Sequence, residues 1–231
     1  MGMQNVSCVR IDAAVFLLPC AIGEIDSRRV SGIGWDIGHQ FLLGGGSHGL
    51  TVIERVLDGF LDDDNSGLGD WIVNEEKLGC TLKELVDEVN AQGIKFGIWI
   101  EPEMVNEDSE LYCKHPDWAL VMPDRNPVKS RNQLVLDFSR KEVVDYIFQQ
   151  ISKVIDEANI EYIKWDMNRS ITSVYSHTAT YQGNVYYDYV LGVYDFLERL
   201  ISKYPDILIE GCSGGGGRFD AGMLYYTPQL W

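Results

Sequence analysis

The 231-residue sequence lacks several features that mark common classes of protein. It has no apolar run near the roughly 18 residues that a membrane-spanning helix needs. Basic residues are few, since 19 Lys and Arg stand against 35 Asp and Glu, for a formal net charge of −16. Nucleic acids and anionic membranes bind basic surfaces, so this balance argues against both as partners. A neutral or cationic small ligand fits it better.

Cysteine and histidine are sparse and carry no metal-binding pattern. The five cysteines are odd in number and scattered, and neither CxxC nor HExxH occurs. Such cysteines are typical of a reducing compartment, so we expect a cytoplasmic protein without a metal ion. The apolar stretch at 13–22 has the length of a signal-peptide core. Because Asp12 precedes it and Arg10 alone supplies positive charge, we expect no signal peptide.

From about residue 80 the sequence alternates between short apolar strands and amphipathic helices. The predicted strands are KFGIWI (95–100), LVLDF (134–138), YIKWD (162–166) and DILIEGC (206–212). The predicted helices cover 81–92, 139–159 and roughly 184–203; Gly93 ends the first, and a capping box of Ser139 and Glu142 starts the second. This alternation indicates a parallel sheet covered by helices.

The first 55 residues do not follow this alternation. The stretch IGWDIGHQFLLGGGSHGL (33–50) is rich in glycine and has no helix or strand period. We therefore expect irregular structure over residues 1–55 and an α/β domain over 56–231.

One predicted strand carries polar residues at every second position. In NIEYIKWDMNRSIT (159–172), Lys164, Asp166 and Asn168 point to one side, because strand side chains alternate between faces. Ile163 and Trp165 occupy the other face and are typical of packing residues. A lysine and a carboxylate on one face of a buried strand indicate a functional site.

Each of the four predicted strands ends in an acidic residue, and another acid follows RVL (55–57) in the same manner, at a fifth predicted strand over 56–58. These acids are Asp58, Glu101, Asp137, Asp166 and Glu210. Because ligands bind at the carboxyl ends of parallel strands, these residues predict an acidic cleft that suits a sugar or a metal ion. The alternative is that each acid caps the next helix, which is the better interpretation for Asp137. Lys164 beside Asp166 would keep that carboxylate charged, as a nucleophile requires.

Other residues fit carbohydrate chemistry, and each also has a structural alternative. Paired carboxylates at a barrel mouth are typical of glycosidases. Trp99 either stacks on a sugar ring or packs in the core. Arg131 either donates hydrogen bonds to a substrate or forms a surface ion pair. The four glycines at 214–217 allow a ligand to approach the backbone closely, and they lack the Lys-Ser/Thr of a phosphate-binding Walker motif.

Several long motifs resemble one known family. DDDNSGLGDW, KFGIWIEPEMV, HPDWAL, SRNQLVLDFSRKEV, YIKWDMNRS, LGVYDFLERL and CSGGGGRFDAGMLYYTPQLW are similar to the catalytic domain of glycoside hydrolase family 36, the microbial α-galactosidases. The similarity runs from about residue 56 to the end. It implies a (β/α)₈ TIM-type barrel, here with about five strand-helix units, a retaining mechanism, and neither metal nor cofactor. The implied substrates are terminal α-galactosides of the melibiose and raffinose type.

The resemblance also implies roles for individual residues. It makes Asp166 the nucleophile and places the acid/base aspartate beyond Trp231, so we expect little or no hydrolysis by residues 1–231 alone. The implied substrate contacts are Asp58, Trp99, Arg131, Lys164, Trp165, Asn168, Cys212, Gly214 and Gly215. One departure concerns Asp58, which is followed by Gly-Phe where the family has a second acid and then Gly-Trp.

Three other functions remain open from the sequence. The first is a non-catalytic galactoside-binding fragment or gene remnant, and the second is a galactosyltransferase acting on raffinose-type sugars. The third, disfavoured by the excess of carboxylates, is an aldolase-like barrel with Lys164 as a Schiff base. The sequence also leaves homo-oligomer formation open.

Overall fold

A computed structural model describes residues 50–53, 66–214 and 216–230 of the chain. Its strands are β1 (Leu50–Ile53), β2 (Lys95–Ile100), β3 (Met104–Asn106), β4 (Gln133–Val135), β5 (Tyr162–Trp165), β6 (Leu208–Gly211) and β7 (Gln229–Leu230). Its helices are α1 (Glu75–Leu78), α2 (Leu82–Ala91), α3 (Glu110–Lys114), α4 (Lys141–Glu157), α5 (Val185–Lys203) and α6 (Ala221–Tyr226). Short 3₁₀ turns occupy Pro116–Trp118 and Gln182–Asn184.

A parallel sheet organises the described part of the chain. Its strand order is β1-β2-β5-β6-β7, and every neighbouring pair is parallel. Helices lie in the connections between successive strands of this sheet, as parallel pairing requires. This arrangement confirms the predicted α/β class with strands and helices in alternation.

Helix α2 begins and ends where its sequence predicts. The Thr81 hydroxyl accepts the backbone N–H of Glu84 at 3.2 Å, and the Glu84 carboxylate accepts the N–H of Thr81 at 2.9 Å. This reciprocal pair satisfies two N–H groups that a helix start leaves without partners. Gly93, directly after the helix, has a φ of +76°, a conformation that glycine adopts without strain.

Helix α4 does not begin with the predicted capping box. Its first residue is Lys141, and Arg140 at the N-cap makes no side-chain capping bond. The reason is that Asp137 competes for Ser139. The Ser139 N–H and hydroxyl both donate to Asp137 Oδ1, while the Glu142 carboxylate accepts from Arg140 Nε at 2.8 Å.

The predicted strand LVLDF does not join the parallel sheet. The strand β4 shares only Leu134 and Val135 with it and pairs antiparallel with β3, with Met104 opposite Val135. In the main sheet β2 pairs directly with β5, as the register Trp99 to Lys164 shows. An apolar run predicts a buried strand, but its partner depends on where the chain turns after β2, and the run itself does not encode that turn.

Three strands were missed, one of them the three-residue strand β3. The segment Leu50–Ile53, within the region expected to be irregular, forms β1 and pairs with β2, so that expectation is wrong for these four residues. The two-residue strand β7 is too short to show a period. The remainder of residues 1–55, like the strand predicted before Asp58, lies outside the described residues.

An aromatic cluster packs between the sheet and its helices. Trp165 meets the edge of Phe196 with ring centres 5.0 Å apart, and Phe148 meets Phe196 at 5.3 Å. Helix α5 comes close enough that a Cβ at Gly192 would lie 1.9 Å from the carbonyl oxygen of Phe138. Helix α5 therefore packs directly against the backbone at Phe138, and only a glycine at position 192 permits this distance.

This contact predicts the effect of Gly192→Ala. Within a helix, alanine is normally favoured over glycine by about 1 kcal/mol. Here the added methyl group would clash with backbone, so we expect a lower melting temperature, measured by circular dichroism. Tyr187→Ala, at an exposed position of the same helix, serves as the control and should leave the melting temperature equal or higher. A stabilising Gly192→Ala would contradict the close approach of α5.

Candidate active site

The carboxyl ends of β2, β5 and β6 bring the predicted polar residues together. The parallel register places Trp99, Lys164 and Glu210 side by side across the three strands. The strand ends stay bonded beyond this row, since Asp166 N–H donates to Ile100 O at 2.8 Å and Cys212 N–H donates to Trp165 O at 2.7 Å. The next positions along the same face are Glu101, Asp166 and Cys212.

The carboxylate of Asp166 lies at the centre of this face. Its Oδ2 accepts the indole N–H of Trp99 at 3.2 Å and the side-chain amide of Asn168 at 2.8 Å. Its Oδ1 accepts the N–H of Met167 at 2.9 Å. Only 6% of the residue is exposed. Three donors therefore fix the orientation of both oxygens of a nearly buried carboxylate.

Trp99 serves this carboxylate as well as the core. The sequence left open whether its ring stacks on a ligand or packs internally. In the structure the residue is buried, with its N–H directed at Asp166. Indole nitrogens seek an acceptor when buried, and here the acceptor is the predicted nucleophile.

Lys164 occupies the middle strand of the row and is nearly buried. Its register neighbour on β6, Glu210, is completely buried and accepts a hydrogen bond from the Tyr162 hydroxyl. Lys164 and Glu210 are therefore buried neighbours on one face of the sheet. The predicted convergence of Lys164, Asp166 and strand-end acids on one face is thus present.

Glu101 is more closely connected to Asp166 than the sequence indicated. Its Oε1 accepts the backbone N–H of Asn168 at 2.5 Å, and its Oε2 accepts the Gln133 side-chain amide at 3.1 Å. Burial raises the pKa of Glu101 to about 8, the Asp166 charge adds to this, and the bond from the Asn168 N–H opposes it. Glu101 therefore carries a proton at neutral pH and links two polar segments of the site.

Arg131 is presented by a tight turn. Arg131 and Asn132 have φ values of +53° and +56°, and Gln133 N–H donates to Ser130 O at 3.0 Å. Two successive left-handed residues closed by such a bond are typical of a type I′ turn. The Asn132 carbonyl accepts the Asn106 amide at 2.9 Å. The arginine side chain is exposed at the tip of this turn.

The glycine-rich loop is anchored by an ion pair between a partly buried arginine and a buried glutamate. Both terminal nitrogens of Arg218 donate to the carboxylate of Glu103, at 2.9 and 2.8 Å. Glu103 also accepts the indole N–H of Trp165 at 2.8 Å and the Tyr189 hydroxyl at 2.5 Å. These four bonds satisfy a completely buried carboxylate and hold the loop against β5 and α5.

A cleft of about 550 Å³ opens beside this loop. Its walls include Asn168, Gly214, Tyr186 and Tyr194. A Cβ added at Gly214, whose φ is +54°, would meet nothing within 4 Å. The glycine loop thus borders open space next to the polar face, as its sequence predicted.

Comparisons with known proteins identify the family. The sequence signature of the Melibiase family matches residues 48–231. The chain belongs to this family. It is 66% identical over 182 residues to the bifunctional α-galactosidase/sucrose kinase AgaSK of Mediterraneibacter gnavus, covering 79% of this chain and 19% of that protein. It is 55% identical over 184 residues to the α-galactosidase Mel36A of Lactobacillus acidophilus, covering 79% of this chain and 25% of that protein.

Solved structures of Melibiase relatives share the fold. The GH36 α-galactosidase AgaA of Geobacillus stearothermophilus matches with a TM-score of 0.76 at 50% identity, over 79% of this chain and 26% of that one. The galactosidase domain of AgaSK matches with a TM-score of 0.74 at 63% identity, over 79% and 25% of the two chains. This chain therefore spans about a fifth to a quarter of the length of the relatives it matches.

Most of the predicted contact residues of this Melibiase chain surround one face. Asp166, Trp99, Lys164, Asn168, Cys212 and Gly214 lie at the ends of β2, β5 and β6. Trp165 does not, so its inclusion among the substrate contacts is not supported. It is completely buried, points to the helix layer and donates to Glu103. Asp58 and Gly215 lie outside the described residues.

Asp220 acts as the N-cap of α6, since its Oδ1 accepts the N–H groups of Gly222 and Met223 at 2.9 and 3.0 Å. This carboxylate therefore serves the fold of the described part of the Melibiase chain.

Two features are absent from the part of the chain that the structure describes. Between residues 66 and 230, apart from position 215, no three His, Cys, Asp or Glu side chains are grouped to hold a metal ion. None of the helices described has the combined length and apolar character that a membrane crossing requires.

The protonation of Glu101 predicts a pH-dependent stability. The folded pKa is about 8, above the ordinary 4.5, so between these values the folded chain binds more protons than the unfolded chain. Stability from this group is complete below pH 4.5 and is lost as pH rises through 8. The Glu101→Gln side chain stays neutral, so this variant should show a smaller slope of melting temperature against pH over this range.

The control for this measurement is Glu75→Gln, at an exposed position. It should leave the slope of melting temperature against pH unchanged. A Glu101→Gln variant with the parent slope would show that Glu101 does not hold a proton in the folded chain.

Proposed function

We propose that this chain forms part of the catalytic domain of a retaining α-galactosidase, with Asp166 as its nucleophile. The observation that carries the proposal is the carboxylate of Asp166, held by three N–H donors at the end of a parallel strand beside Lys164. The match to the Melibiase family over residues 48–231 includes this carboxylate and supports a glycosidase role for it. Its named relatives are α-galactosidases.

The proposed reaction proceeds by double displacement. Asp166 attacks the anomeric carbon of a terminal galactose, and the bond to the leaving oxygen breaks as a second carboxyl group protonates that oxygen. Water then attacks the galactosyl-Asp166 ester, and the second group accepts the proton of that water. In the family that the chain resembles, this second group comes after the segment that corresponds to YYTPQLW. Trp99 and Asn168 direct the Asp166 oxygens before the attack.

The proposed substrates are α-galactosides of the raffinose and stachyose type. Structures of AgaA variants are described as complexes with raffinose and with stachyose. In this chain the groups proposed to bind galactose hydroxyls are Lys164, Asn168, Arg131, Cys212 and the backbone near Gly214. The cleft beside Gly214 provides about 550 Å³ for further parts of the substrate. Asp58 and Gly215 remain predicted contacts.

The proposed location is the cytoplasm, where the scattered cysteines would stay reduced. Homo-oligomer formation is a separate question, which analytical ultracentrifugation of the complete protein would answer.

The nucleophile can be tested in a chimera in which residues 48–231 replace the matched region of AgaSK. A 2-fluoro-galactosyl inhibitor should label the peptide that contains KWDMNR, because fluorine slows hydrolysis of the covalent intermediate. Asp166→Asn should abolish both labelling and turnover. Mass spectrometry of the labelled peptide gives the result directly.

The control for labelling is Asp137→Asn, since Asp137 is also a buried aspartate that follows a strand. At equal folded concentration it should still be labelled. Label on another carboxylate, with Asp166→Asn active, would refute the assignment. A folded chimera that binds galactose without turnover would favour the galactoside-binding alternative.

Arg131 is expected to serve substrate binding rather than stability. Lysine does not reproduce the planar fork of arginine, so Arg131→Lys should lower kcat/KM about tenfold or more if a charged hydrogen bond to substrate is lost. Because the side chain is exposed, the melting temperature should stay within a few degrees. Arg125→Lys, at an exposed position in the neighbouring turn, is the control and should change neither quantity. Lower stability with unchanged kinetics would assign Arg131 to the fold.

A further inference from the structure

We propose that Arg169 is a positioning residue, whose guanidinium clamps the turn carrying Arg131 against the segment that follows Asp166. This inference rests on the proposed function, because it concerns how the galactose-binding arginine and the nucleophile keep a fixed relation. Neither the sequence motifs nor the implied substrate contacts assigned a role to Arg169.

The turn at Ser130–Gln133 needs an external hold. Arg131 and Asn132 both have left-handed backbone conformations. Asparagine tolerates this conformation, but arginine adopts it at a cost in energy. Such strain persists only where surrounding contacts impose it, and it is concentrated at functional sites. The strained residue here is the one whose side chain is proposed to reach the substrate.

Arg169 supplies contacts on both sides of that turn. Its Nη1 donates to the carbonyl of Val128, before the turn, at 2.9 Å, and to the carbonyl of Gln133, the last residue of the turn. Its remaining nitrogens bond its own segment, Nε to Ser170 O at 3.1 Å and Nη2 to the Thr172 hydroxyl at 2.8 Å. One rigid group thus joins the turn to the loop after β5. Only a planar fork with several donors reaches all these acceptors together.

A second set of bonds ties the same turn to the nucleophile. Gln133 donates its side-chain amide to Glu101, and Glu101 accepts the N–H of Asn168. The Asn168 amide in turn donates to Asp166 Oδ2 at 2.8 Å. Gln133 therefore lies where the Arg169 clamp and the Asp166 network meet. Arg169 holds the position of the turn, and the Glu101 network sets its distance from the nucleophile.

The contacts of Arg169 differ from those of another buried arginine in the same structure. Arg140 is 9% exposed and Arg169 is 7% exposed. Arg140 forms ion pairs with Asp117 of the Pro116–Trp118 turn at 2.9 Å and with Glu142 of α4 at 2.8 Å. The four acceptors of Arg169 named above are neutral oxygens in the two segments that border the site. Arg140 is therefore a matched control, similarly buried but bonded to Asp117 and Glu142 instead of to those two segments.

The test is a double-mutant cycle between Arg169 and Arg131 in the AgaSK chimera. Arg169→Lys alone should raise KM and lower kcat/KM about tenfold or more, since charged hydrogen bonds that hold Arg131 in place are lost. In the Arg131→Ala background the same substitution should change kcat/KM by no more than about twofold, because the side chain that Arg169 positions is already gone. A change of about twofold is the usual error of additivity, so this loss of the larger effect would demonstrate coupling. Galactose inhibition constants should show the same non-additivity.

Arg140→Lys is measured in the same two backgrounds. It should change the melting temperature at most, leave kcat/KM at the parent value and show no coupling to Arg131. If Arg169→Lys does not fold, Thr172→Val removes one contact of the clamp at an exposed position. It should act in the same direction, with a smaller effect and the same dependence on Arg131.

Additive effects of Arg169 and Arg131, or coupling of equal size for Arg140, would overturn the positioning role. So would an Arg169→Lys variant with parent KM and a lower melting temperature, since that result assigns Arg169 to stability alone. A folded chimera with parent residues that neither turns over substrate nor reacts with the labelling inhibitor would instead refute the proposed function. The two failures are therefore distinguishable.

Discussion

The parallel register of β5 between β2 and β6 is the constraint on which the rest of the structure depends. It places Trp99, Lys164 and Glu210 in one row, and it brings Asp166 to the end of the middle strand. In a parallel sheet a shift by one residue would turn each of these side chains to the opposite face. The indole of Trp165 would then point to the polar face, and the Lys164 ammonium to the aromatic cluster.

Burying acidic side chains is the cost of this arrangement, and Glu103, Glu101 and Asp166 meet it in different ways. Glu103 accepts four hydrogen bonds, two of them from Arg218, so its charge is compensated directly. Glu101 instead has its pKa raised to about 8 by burial and remains protonated at neutral pH. Asp166 is held by three N–H donors. Three acids with different surroundings therefore lie close together: Glu103 in an ion pair, Glu101 protonated, and Asp166 held by N–H donors. Such differences are typical of functional sites.

The chain matches one section of the length of its relatives. It spans 19% of AgaSK and 25% of Mel36A, yet this section contains the strand that ends in the proposed nucleophile. It also contains the two loops that border it, the turn with Arg131 and the glycine-rich loop. Both loops are fixed from within the section, by Arg169 and by the pair of Arg218 with Glu103. The local geometry around Asp166 is therefore set by residues of this chain.

The sequence by itself determined the α/β class, the three longest helices α2, α4 and α5, and the shared face of Lys164, Asp166 and Asn168. These properties follow from periods within single segments, which depend only on backbone geometry. Tertiary structure decided what joins distant segments: the antiparallel partner of LVL, the burial of Trp165 behind Glu103, and the roles of Glu101 and Arg169. Glu101 bonds a residue 67 positions away, and Arg169 one 36 positions away. Such pairings arise from the path of the whole chain, and no local period records them.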